Sequence, residues 1–77
     1  MIKTMIEERI DELIKRYESR IYENQQMIKV KSEIIVYRLR HDENKHIKVF
    51  VDDIEELRKE NELFAIFIGS LKYAKEE

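Results

Sequence analysis

Cysteine and proline are absent from this chain, and Gly69 is its only glycine. Without cysteine there is no disulfide and no thiolate metal site, and two histidines are too few for a dedicated zinc cage. No cofactor is expected, and a reducing, cytoplasmic setting suits this usage. With no proline and one glycine the backbone meets few breakers, so long stretches of regular structure should follow. Also missing is any apolar run near the roughly 20 residues that a bilayer span takes. Glu7, Glu8, Asp11 and Glu12 stand where a secretory signal would place its apolar core. No membrane association is expected.

Charge, by contrast, is plentiful: 42% of the 77 residues are charged and 43% are hydrophobic, in a patterned order that argues against disorder. A chain of this length is one domain at most, near the size at which a single core barely stabilises a fold, and oligomerisation is the usual remedy. The net charge of −2 hides a division along the chain. Residues 1 to 28 hold five basic and six acidic groups, residues 29 to 51 hold six and three, and residues 52 to 77 hold four and eight. The middle is basic and the last third acidic, so each presents one sign of field to a partner or to another copy.

Thr4 and Glu7 have capping-box spacing, and Ile6, Ile10, Leu13, Ile14, Tyr17, Ile21 and Ile28 share one face of the helix that follows. Asn24, Gln25 and Gln26 interrupt the stripe. Asp52 and Glu55 repeat the capping spacing, with acidic residues crowding a first turn and Ile54 and Leu57 opening a second apolar pattern. If a helix begins there, the β-branched and aromatic residues His46 to Val51 need another conformation, and an alternating strand fits them. Glu33 to Arg40 then supplies the partner strand, turning through Asp42, Glu43 and Asn44, with Asn44 in the left-handed position. The reading predicts an α+β fold in α-β-β-α order, with a helix over about 4–30, an antiparallel hairpin over about 33–51 and a helix over about 53–75, assembled as a homo-oligomer. The alternative is an all-α helical hairpin whose first helix runs from about residue 5 to about 39.

Within the second helix, Leu63, Phe64, Ala65, Ile66, Phe67 and Ile68 form an uninterrupted apolar run that covers more than half of the circumference. Leu57, Asn61, Phe64, Ile68 and Leu71 follow the alternating spacing of a coiled-coil seam, and Leu63, Ile66, Phe67, Ser70 and Ala74 make a second stripe. One stripe is left over after the chain packs on itself. The interface of a homodimer or higher homo-oligomer is therefore expected at Leu57, Asn61, Leu63, Phe64, Phe67, Ile68 and Leu71. In that seam Asn61 is suited to bond its symmetry mate and fix register. Gly69, near Ala65 and Ser70, either lets another backbone approach or caps a helix ending at Ile68.

Chemistry is not legible here. Ser19, Ser32 and Ser70 have no glycine-framed turn or adjacent histidine, there is no phosphate-cradling glycine loop, and His41 with His46 and Asp42 matches no metal spacing. The expectation is a non-enzymatic interaction protein, an adaptor or inhibitor of an unidentified macromolecular partner. The alternative is a nucleic-acid-binding regulator using Arg38, Arg40, Lys45, His46 and Lys48. Short cysteine-free chains rich in lysine, glutamate and isoleucine resemble, in style alone, accessory proteins of bacteriophages and other mobile elements.

Overall fold

The computed structural model describes residues 4–41 and 46–76. Two α-helices account for them: α1, Met5–Arg40, and α2, Ile47–Glu76, packed against each other as an antiparallel hairpin. At about 1.5 Å per residue, helices this long make a rod, and the molecule measures 60 × 16 × 12 Å.

This overturns the α-β-β-α expectation, since no strand occurs among the described residues. The segment from Glu33 to Arg40 completes α1, and Val49, Phe50 and Val51 lie in the opening turns of α2. β-propensity is a weak preference that tertiary context reverses, and an isolated two-stranded ribbon is marginal in water. Extending a nucleated helix adds one hydrogen bond for each residue fixed. No proline or glycine stands in the way from Thr4 to Ile68. Asp52 is not a helix start, because α2 begins at Ile47. The residues proposed for the turn, Asp42 to Asn44, lie outside the described residues. The left-handed residue that is described is His46, at φ 67°, whose carbonyl accepts from the Val49 and Phe50 amides.

The first helix starts as its cap predicts. The Thr4 hydroxyl oxygen accepts from the Glu7 amide at 3.1 Å. The same hydroxyl donates to the Glu7 carboxylate at 3.3 Å, so the return half of the box is made to the side chain. Ile6 does not join the buried face and is largely exposed.

From Ile10 onward the two helices meet along paired heptads. On α1 the line is Ile10, Ile14, Tyr17, Ile21, Asn24, Ile28, Lys31, Ile35 and Arg38, and on α2 it is Ile47, Phe50, Ile54, Leu57, Asn61, Phe64, Ile68 and Leu71. Every residue in both lines is buried or half-buried, with three- and four-residue steps alternating without a break. The core is narrow. Ile14, Ile54 and Ile68 are its buried hydrophobic residues, and among the described residues no large side chain is fully enclosed.

Gly69 does not cap a helix. It lies within α2, and a Cβ placed on it meets nothing within 4 Å in the single chain. Gly69→Ala is therefore expected to stabilise the helix by about 0.5–1 kcal/mol, read as a higher urea midpoint with an unchanged slope.

Candidate interaction surface

The seam takes up most of the residues expected at an oligomer interface. Leu57, Asn61, Phe64, Ile68 and Leu71 all lie on the line that packs against α1. Asn61 finds its amide partner inside its own chain: Asn24 Nδ2 donates to Asn61 Oδ1 at 2.9 Å and to Glu60 Oε1 at 3.0 Å. Asn61 Nδ2 in turn donates to the Ile21 carbonyl at 3.4 Å. Asn24, which interrupts the apolar stripe in the sequence, is only 5% exposed and is the buried polar residue of the hairpin.

Charged residues on and beside the seam are matched across the helices. Lys31 Nζ lies 3.2 Å from Asp53 Oδ2, and Lys75 Nζ lies 2.7 Å from Asp11 Oδ1 at the opposite end of the rod. Arg20 reaches Glu60 at 3.5 Å and lies over the Phe64 ring, 5.8 Å from its centroid. Tyr17 stacks on Phe64 at 5.3 Å and tilts against Phe67 at 5.6 Å. Partly exposed pairs of this kind contribute about 1 kcal/mol or less each. Their value is directional: they fix which residues of α2 face which residues of α1.

Large apolar side chains stay exposed on both helices, among them Tyr22, Val30, Tyr37 and Leu39 on α1 and Val49 and Val51 on α2, and one group of them lies on the outer side of the C-terminal half of α2. Leu63, Ile66, Phe67 and Tyr73 are 53%, 61%, 43% and 66% exposed. At about 100° per residue, Leu63, Ile66, Ser70 and Tyr73 lie more than about 100° from the seam line, turned away from α1. From Leu63 to Leu71 the sequence contains no charged residue, in a chain that is 42% charged. Depletion of charge around large apolar side chains marks the centre of interaction surfaces.

The basic residues gather at the other end of the rod, on helices in place of the expected ribbon. Arg38 is engaged, its guanidinium 5.1 Å from the centroid of the Phe50 ring, which Lys31 also overlies at 5.6 Å. Arg40, His46 and Lys48 are exposed, and Lys45 lies outside the described residues. A concavity along α1 is lined by Lys29, Ser32, Glu33, Val36, Tyr37, Arg40 and His41. His41 caps α1: its amide donates to the Tyr37 and Arg38 carbonyls, and its ring stacks on Tyr37 at 4.1 Å. Among the described residues, no three histidine, aspartate or glutamate side chains converge as a metal site, and no helix is long and apolar enough to cross a membrane.

Set against protein-family models, curated proteins and solved structures, the chain matches none of them.

Proposed function

We propose that this protein works by binding and not by catalysis, as a small helical-hairpin module that occupies a surface of a macromolecular partner in the manner of an adaptor or inhibitor. The observation that carries this reading is the outer face of α2, where Leu63, Ile66, Phe67 and Tyr73 are exposed together on a regular helix. An amphipathic helix presenting anchors at three- and four-residue spacing fits an apolar groove or another helix. The rest of the hairpin holds that helix straight through a registered seam.

A second reading uses the basic end, where Lys29 and Arg40 line one concavity with the exposed Tyr37 ring and a single carboxylate, Glu33. Cations beside an aromatic surface suit a nucleic acid, through phosphate pairing and base stacking. One experiment separates the two. A benzophenone amino acid replacing Ile66 or Tyr37 in the full chain, irradiated inside the producing cell, is expected to give protein adducts from position 66 and no nucleic-acid adduct from position 37. The opposite pattern supports the basic-end reading. No adduct from either position removes both.

A further inference from the structure

We infer that the uncovered face of α2 is occupied by a second copy of this chain, the two hairpins packing back to back through their second helices in antiparallel order, with the two-fold axis midway between Ile66 and Ser70. This deepens the interaction-module reading and rests on it.

Area supplies the first argument. The chain exposes 6601 Å², whereas a compact folded monomer of its mass, 9.5 kDa, exposes about 5,000 Å². The surplus of roughly 1,600 Å² is about twice the 800 Å² per partner that a stable protein interface buries. Shape agrees: the radius of gyration is 17.7 Å, where a compact domain of this length has about 11–12 Å. A single pair of helices is one layer short of an enclosed core. The remedies open to other small domains, disulfides and thiolate-held metals, are closed to a chain without cysteine.

The order of side chains supplies the second. A two-fold interface is self-complementary, so that if residue i meets residue j, then j meets i. In antiparallel register, Leu63 stands opposite Tyr73 and Ile66 opposite Ser70. Each large side chain thereby faces either a ring that can lie flat beside it or a small residue that leaves it room. The stretch from Leu63 to Leu71 brings no charge to that contact. Glu62 and Lys72, both exposed, bound it on either side and remain in water. A copy of the chain supplies an apolar surface of matching length and curvature.

The absence of native cysteine makes the test direct, because a single introduced thiol is unambiguous. Wild-type protein at about 100 µM, chosen to favour association by mass action, is expected to scatter light with twice the 9.5 kDa chain mass. Ser70→Cys is expected to give a covalent dimer with a short bismaleimide, and Ser19→Cys, on the exposed outer side of α1, is expected to give none. Ile66→Lys is expected to return the mass to that of one chain while helicity by circular dichroism is kept. Should Ile66→Lys lose helicity, the paired thiol variants still decide the matter. A single-chain mass for the wild type overturns the inference, as does a doubled mass with Ser19→Cys crosslinking as readily as Ser70→Cys. If the wild type is a single chain while the probe at position 66 captures a different protein, the second copy is refuted and the interaction-module reading stands. If position 66 captures nothing, including another copy, both fall.

Discussion

Replacing Ile54 with alanine is expected to lower the free energy of unfolding by about 2–4 kcal/mol, a loss that leaves a large fraction of the chain unfolded at moderate temperature. A folded chain of 77 residues at about 0.05–0.15 kcal/mol per residue has only some 4–12 kcal/mol in total. Ile54, Ile14 and Ile68 are the buried hydrophobic residues of the seam, and so few buried positions leave little to share the loss. Alanine at Ile54 deletes three carbons where Phe50 and Leu57 flank it along α2, and two rod-like helices have little freedom to collapse into the gap. The control is Ile66→Ala. Ile66 is the same residue type on the same helix and is 61% exposed, so within a single chain its truncation should change stability by less than about 0.5 kcal/mol. Urea unfolding followed by circular dichroism at one fixed chain concentration makes the comparison. Equal losses from Ile54→Ala and Ile66→Ala would mean that the core does not lie along the heptad seam. Repeating both at low and high concentration adds information, because a loss at Ile66 that grows with concentration belongs to association.

The seam explains which parts of this architecture could be read in advance. Leu57, Asn61, Phe64, Ile68 and Leu71 announce themselves by spacing, and Thr4 announces the start of α1, because both signals are local. The stretch from Ile34 to Val51 misleads for an equally local reason: β-branched and aromatic residues alternate with polar ones there, and a short window cannot separate that pattern from a helix. The decisive signal was longer. Asn24, Lys31 and Arg38 are seven residues apart and continue the spacing set by Ile10 and Tyr17. Read singly they look like breaks in an apolar stripe. Read as one heptad position they carry α1 through to Arg40. Their polarity is tolerated because Asn61, Asp53 and Phe50 stand opposite them on α2, and no single helix contains that information. The binding surface shows the reverse. Leu63, Ile66 and Phe67 belong to the second stripe read from the sequence and do lie on the outside, whereas Tyr73 on the same face becomes evident only once the seam has claimed the other side of α2.

The polar layer is where the largest change in behaviour is expected. Asn24→Ala alone leaves the carboxylate of Glu60 and the side-chain oxygen of Asn61 without their amide donor, and should cost about 1–3 kcal/mol. Asn24→Leu combined with Asn61→Leu removes the two amides together and leaves Glu60 paired with Arg20, 3.5 Å away. It converts the layer between Ile21, Ile28, Leu57 and Phe64 into continuous hydrocarbon. Burying two additional leucines is expected to raise stability above wild type by about 1 kcal/mol or more. Uniqueness is the cost. An amide layer bonded at 2.9 Å satisfies itself only when Asn24 and Asn61 are level, and any other alignment buries an unsatisfied amide. Within one chain the short connection from Arg40 to Ile47 already restricts sliding, so the constraint acts chiefly between chains. It penalises exchange of α2 from one hairpin to another in shifted registers. The double variant should therefore melt at a higher temperature than wild type and show several masses by light scattering. The wild type, under the same conditions, should show one. A double variant that is more stable and still of a single mass would establish that the asparagines add nothing to specificity and that the charged pairs Lys31–Asp53 and Lys75–Asp11 suffice to hold the register.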